Sequence, residues 1–255
     1  MLMQRIYRIK TKLKTFLNGR KITDDFDWDL YHEHYRGELS DISKKYTQIL
    51  SHGDYIFENK KLVINKKILP LHPNWRLLYE TILRLEPSSV IEMGCGGGDH
   101  LKNLNILCPQ IKLYGVDISS NQINLLRKRH PNLDARVKQL DITLPYPFNF
   151  PIVDIAFTQA VIMHMHTGNS HIVALSNLFR SASKQVVLME NWKRHDFMGD
   201  IEYLISEKMI PWEKVYLYYC ESPELKKPHM MVVSSWPLKD YKILTNYAIL
   251  RDKVR

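Results

Sequence analysis

The sequence predicts an α/β fold: a mostly parallel seven-stranded sheet, helices on both faces and an antiparallel hairpin at one edge. Three observations carry that expectation. From about residue 71 onward, apolar strand-length runs alternate with helical patterns. The run Val90-Ile91-Glu92-Met93 passes into Gly94-Cys95-Gly96-Gly97-Gly98, which holds four of the ten glycines in the chain. Two late strand-like segments, 214–220 and 229–235, flank a loop containing proline and lysine. Strands alternating with helices build a parallel sheet, and a closing antiparallel pair is a common edge.

The 255 residues suffice for one large α/β domain with additions. No apolar run approaches the roughly 20 residues that span a bilayer. Cys95, Cys108 and Cys220 are scattered without metal-ligand or disulfide spacing, which fits a reducing cytoplasm. The net charge is +9, but Arg5, Arg8, Lys10, Lys12, Lys14, Arg20 and Lys21 sit in residues 1–21 with no acid among them. The charge thus belongs to one arm and the body is nearly neutral, which argues against nucleic acid as partner.

Residues 1–21 place Leu2, Ile6, Ile9, Leu13, Phe16 and Leu17 at helical spacing, with basic residues on the other faces. This basic amphipathic helix would dock on an anionic membrane surface, or pack on its own domain or a second subunit in a homodimer; a transit peptide has the same composition. Residues 22–70 form an extension crowded with aromatics and acids, expected to act as a lid in which Tyr31, Tyr35 and Arg36 close over a ligand. His32 and His34 lack a third ligand at metal spacing, so no metal is expected. Within this extension, residues 55–69 read as a short hairpin or connector.

The domain proper is expected over 71–255. A helix runs from Asn74, a candidate N-cap, to Leu85. The first strand of the sheet ends at the glycine turn, and a helix follows to about Cys108. A strand over 112–116 ends at Asp117. Ser119-Ser120-Asn121-Gln122 has the form of a capping box and opens a helix that stops before Pro131. Strands follow at 135–139, 153–158 and 185–189, with helices near 170–181 and 200–207.

Strand, glycine turn and helix in succession make a nucleotide crevice at the strand ends. A dinucleotide fold wants G-x-G-x-x-G. Here the third glycine is replaced by Asp99, and a diphosphate would face both Glu92 and Asp99. A cationic ligand suits such a pocket better.

In these residues the sequence resembles the class I S-adenosylmethionine-dependent methyltransferases, over about residues 70–235. Their acidic residue followed by G-x-G-x-G is matched by Glu92, Gly94, Gly96 and Gly98, with Cys95 inside the turn. The resemblance implies a Rossmann-like fold and S-adenosyl-L-methionine as cofactor. It implies Asp117 on the ribose hydroxyls, Ile118 against adenine, and Asp141 with Ile142 reading the adenine. Backbone around Thr158 and Gln159 would meet the methionine part, and His72 and Arg76 would reach its carboxylate. The motif of the N6-adenine and cytosine-N4 nucleic-acid enzymes is missing, because its place reads Thr158-Gln159-Ala160-Val161, and Cys108 precedes its proline where the cytosine-C5 enzymes need Pro-Cys.

A hydroxyl or amine acceptor needs a base, whereas a phosphate needs cations or hydrogen-bond donors. His164 is the candidate base, and Asn191, Arg194 and His195, after the strand at 185–189, are candidate contacts to an anionic or sugar acceptor. The segments His72-Pro73-Asn74-Trp75 and Glu190-Asn191-Trp192 resemble small bacterial methyltransferases of capsule and lipopolysaccharide assembly. That implies O-methylation of a sugar, phosphate or phosphoramidate oxygen by an enzyme of the cytoplasm or the inner face of the membrane. A nicotinamide-dependent oxidoreductase and a non-catalytic S-adenosylmethionine-binding protein are the alternatives.

Overall fold

The computed structural model describes Trp28 and residues 43–145, 151–220 and 230–239. The expected helix over 1–21 and the lid residues Tyr31, Tyr35 and Arg36 lie outside the described residues.

A hairpin precedes the main sheet. Strands β1 (Tyr55–Glu58) and β2 (Lys61–Ile64) pair antiparallel, Tyr55 opposite Ile64. Asn59 and Lys60 both have positive φ, 50° and 63°, as a two-residue turn between twisted strands requires. Helix α1 (Pro73–Arg84) follows. Its N-cap is His72, whose Nδ1 accepts from the Asn74 backbone N–H at 3.2 Å, so the expectation of Asn74 as cap is corrected. Pro73 explains the shift: proline suits the first helical position, which puts the cap one residue earlier. Glu80 of α1 accepts from the Leu62 N–H at 2.9 Å and ties the hairpin to the helix.

The sheet then assembles from the middle outward. Strand β3 (Ser89–Met93), helix α2 (Asp99–Leu107), strand β4 (Lys112–Asp117), helix α3 (Ser120–Arg129) and strand β5 (Ala135–Gln139) form one half. Strand β6 (Val153–Gln159), helix α4 (Ser170–Ser181), strand β7 (Ala182–Met189) and helix α5 (Phe197–Ser206) build the other, closed by β8 (Tyr216–Cys220) and β9 (Met230–Ser234). The strand order is β5-β4-β3-β6-β7-β9-β8. Pairing is parallel from β5 to β7, and β9 runs antiparallel to both β7 and β8. The order reverses between β3 and β6, which leaves a crevice at their carboxyl ends.

Period-two alternation divides the buried side chains between the two faces. Ile91, Met93, Ala156, Val186 and Leu188 join one core, and Val90, Ile155, Phe157, Val187 and Met189 join the other. Both faces of the central strands are therefore apolar, as expected for a parallel sheet covered by helices. The two largest boundary shifts have local causes. β7 begins at Ala182 because α4 passes directly into extended backbone there, and α5 begins at Phe197 because Asp196 caps it, accepting from the Gly199 N–H at 3.3 Å. The Ser119 hydroxyl caps α3 as the capping box predicts, accepting from the Gln122 N–H at 3.2 Å.

Candidate active site

The crevice is a cleft of about 320 Å³, within the range of small-molecule sites. Its floor is the turn after β3. The N–H groups of Gly94 and Cys95 both donate to the Val116 carbonyl, at 2.7 and 2.9 Å, which bends the chain sharply off the strand. Gly94 has φ +80°, and a Cβ there would lie 2.4 Å from Val161 Cγ2. Gly98, also at φ +80°, precedes α2, and a Cβ there would meet Leu126 Cγ at 2.5 Å. Gly96 differs. At φ +48° its nearest neighbour to a Cβ would be Gln122 Oε1, 3.8 Å away, and the open side gives onto the cleft. Cys95 contributes backbone to the cleft, while its sulfur packs toward Gly115 and burial pushes the thiol pKa up.

Three acids stand around the turn. Asp117 accepts from the Gly96 N–H at 2.8 Å through one oxygen and from the Ser119 N–H at 2.9 Å through the other. Asp99 is paired: Arg129 lies 2.7 Å and His130 Nε2 3.1 Å from its Oδ1. The expectation that Asp99 repels an anionic ligand is therefore corrected, because α3 brings two partners to it. Glu92 is only 2 % exposed, and its Oε2 has no hydrogen-bond partner. Burial, then Asp117, then Asp99 push its carboxyl well above the usual range.

On the β4–β5 side, Ile118 stays open to the cleft while Ile142 is buried in its wall. Asp141 Oδ1 accepts from the Thr143 N–H at 2.9 Å and its hydroxyl at 2.6 Å, so Asp141 is at once a turn residue and part of the lining. Asn177 of α4 pins this loop from behind, donating to the carbonyls of Ile142 at 2.9 Å and Leu144 at 2.8 Å.

On the other side lie Gln159, Ala160, Val161, His164 and Met165. Thr158 does not line the cleft: strand alternation sends its fully buried side chain away from the face that Gln159 takes. Gln159 Oε1 meets His100 Nε2 at 3.2 Å, and His100 Nδ1 in turn meets the Tyr79 hydroxyl at 2.8 Å. Burial lowers the His100 pKa, so this imidazole is neutral. His164 closes a short 3₁₀ turn, Ile162–His164, and packs edge-on against Trp28 with ring centroids 5.4 Å apart. Burial first, and then the charges of Arg194 and His166, bring its pKa down to about 4.

Four further expected contacts lie outside the cleft lining. Arg76 pairs with Glu80, Nε to Oε1 3.1 Å, because the acid one helical turn on is its nearest partner; His72, Asn74 and Trp75 line the cleft instead. Asn191 is exposed and accepts from the Lys193 N–H, and Arg194 is exposed as well. His195 stacks on His171 at 4.4 Å and His166 at 5.3 Å. Arg194 nevertheless stands near enough for its charge to act on His164, and Glu190, before this segment, turns inward to accept from the N–H groups of Val161, Ile162 and Met163. Glu190, His100, Trp75 and Trp28 carry no assigned role in the sequence; the strand-end acid pattern that marks Glu92 and Asp117 would also have found Glu190.

The comparisons agree with this geometry. Residues 90–184 match a sequence family described as a methyltransferase domain. A search of curated proteins finds no similar sequence. Among solved structures, a TehB-like SAM-dependent methyltransferase from Corynebacterium glutamicum superposes with a TM-score of 0.52 at 15% identity, covering 80% of this chain and 96% of that one. The methyltransferase domain of a bacterial CtHen1 superposes at 0.51 and 17% identity, covering 63% and 96%. These superpositions show the fold: the chain has the Rossmann-like fold of class I methyltransferases, and its residues 90–184 match a methyltransferase-domain family.

Proposed function

We propose that the protein is an S-adenosylmethionine-dependent methyltransferase acting on the oxygen of a small polar acceptor, in surface-polysaccharide assembly. The observation that carries the donor assignment is the buried Glu92 carboxyl, whose Oε2 has no hydrogen-bond partner, beside the open face of Gly96. A buried carboxylate oxygen without a partner is costly, and a cationic ligand removes that cost. S-adenosylmethionine carries an ammonium and a sulfonium, and the residues present fit it. Glu92 would take positive charge, Gly96 would let the ligand approach the backbone, and Asp117 would accept from ribose hydroxyls. Ile118, Asp141 and Ile142 would enclose the base.

When bound, this donor supplies an electrophilic methyl group. The protein then has to orient the acceptor, exclude water and receive a proton. His164 is neutral at any pH well above about 4 and so is free to accept that proton. Trp28, Trp75 and Met165 make the surrounding wall apolar, which shuts out competing water. The described lining includes Glu92, Asp99, Asp117 and Asp141, and among the described residues no lysine or arginine. Those acids favour a neutral hydroxyl, such as that of a sugar, over a phosphate or phosphoramidate oxygen.

The setting in capsule or lipopolysaccharide assembly is supported by the resemblance of the 72–75 and 190–192 segments. None of the described helices is long and apolar enough to cross a membrane. A cytoplasmic enzyme whose basic N-terminal helix holds it at the inner membrane, or joins it to a second copy, completes the proposal. Calorimetry with S-adenosylhomocysteine tests the donor site. The wild type should bind at micromolar concentration and Asp117→Ala should not; equal binding by both would remove Asp117 from the site.

A further inference from the structure

We propose that Glu190 is the positioning residue of the acceptor side: its carboxylate fixes the loop over residues 160–164 and thereby the place of His164. Its function rests on the methyl-transfer role proposed for the cleft; its structural part rests on the hydrogen bonds alone.

Glu190 is 3 % exposed and stands at the end of β7. Oε1 accepts from the N–H of Val161 at 3.1 Å and of Ile162 at 3.3 Å, and Oε2 accepts from the Met163 N–H at 3.0 Å. These are the amides at the start of the 3₁₀ turn that ends on His164, and such a start has no carbonyl of its own to satisfy them. Immediately before them Ala160 has φ +55°, a left-handed conformation that a residue with a Cβ seldom adopts. The Ala160 N–H donates to the Met189 carbonyl at 2.9 Å. Met189 at the end of β7 and Glu190 just after it thus grip the loop at both ends of the strained residue.

Strain held at a binding cleft signals a geometry that the surrounding structure over-determines. What it sets here is a direction. After β6 the chain must turn back across the cleft to bring Val161 over Gly94 and His164 against Trp28. A carboxylate suits the task, having two acceptor oxygens for three donors. Glutamine would keep one acceptor oxygen and turn an amide N–H₂ toward the Met163 N–H.

The test reads His164 directly and needs no acceptor. Its imidazole is titrated by NMR in the wild type and in Glu190→Gln, assigned by difference from His164→Asn. The wild type should titrate near 4. In Glu190→Gln the loop should release the ring to solvent, and its pKa should move toward the ordinary 6.5, while the far-UV spectrum is unchanged. An unchanged titration in a folded variant overturns the proposal.

Should Glu190→Gln not fold, amide exchange in the wild type decides. Val161, Ile162 and Met163 should exchange at least about tenfold more slowly than the exposed residues 166–169. Exchange at the same rate as those residues overturns it. Binding of S-adenosylhomocysteine to the wild type is measured alongside. If binding is absent while the titration shifts, the methyl-transfer assignment has failed, and Glu190 holds a loop without serving that reaction.

Discussion

Gly96→Ala separates a glycine needed for folding from one needed for a ligand. An alanine there adopts φ +48° at a cost of about 1–2 kcal/mol. Its methyl group meets nothing in the protein closer than 3.8 Å, so no overpacking adds to that cost. For a chain of this size the melting temperature should fall by about 2–8 °C. The methyl group nevertheless projects where a nucleoside would approach the backbone. Displacing a bound ligand from such a surface costs about 1–3 kcal/mol, so affinity for S-adenosylhomocysteine should fall about 5- to 150-fold. Gly94→Ala provides the contrast. Its Cβ would sit 2.4 and 2.7 Å from the two Val161 methyl carbons, so strain and overpacking together reach about 2–5 kcal/mol and the fold itself should weaken. Differential scanning fluorimetry and calorimetry on the two variants supply both readouts. Wild-type affinity in a folded Gly96→Ala protein would refute the turn as a ligand floor.

Two further outcomes follow from the surroundings of the cleft. Asn177→Ala removes both donors to the 142–144 loop and should cost about 1–3 kcal/mol in urea unfolding, with S-adenosylhomocysteine binding weakened through the adenine side. The folded-state pKa of His164 lies below its ordinary value, so the folded protein binds fewer protons than the unfolded one between pH 6.5 and about 4. Stability relative to His164→Asn should therefore fall by up to about 3 kcal/mol as pH drops through that window and should not change with pH above it. Urea unfolding of the pair at several pH values checks this, since shifts of the buried carboxylates cancel in the difference.

What the sequence made legible was local. Glu92 and Asp117 were visible because a run of apolar residues, a strand-end acid and a break in periodicity occur together within a few residues. The capping box at Ser119 is likewise short-range. The errors lie where distant segments compete for a side chain. Asp99 looked like a free acid, but its partners stand 30 and 31 residues on, at Arg129 and His130. Asn191, Arg194 and His195 follow a strand end, but nothing local says that His195 stacks on His171 and His166. Two features are legible locally: Glu80 lies four residues after Arg76 on the same helix face, and strand parity puts the side chains of Thr158 and Gln159 on opposite faces.

The two buried acids of the turn are treated in opposite ways, and the difference predicts a proton count. Asp99 is matched by Arg129 and His130, whereas Glu92 keeps an unpartnered oxygen and a raised pKa. Without ligand, Glu92 therefore holds its proton to a higher pH than an exposed glutamate does. A cation arriving beside it favours the carboxylate, so the proton must leave. Binding of S-adenosylhomocysteine, which carries the same ammonium as the methyl donor, should release protons to the buffer over a pH range above that of an exposed glutamate. Calorimetry in buffers of different ionisation enthalpy measures that release as a slope. Adenosine, which lacks the ammonium, should show none, and Glu92→Gln should abolish the slope with the full ligand. A wild-type slope of zero across that range would mean that Glu92 meets no cation, and the donor assignment would lose the observation that carries it.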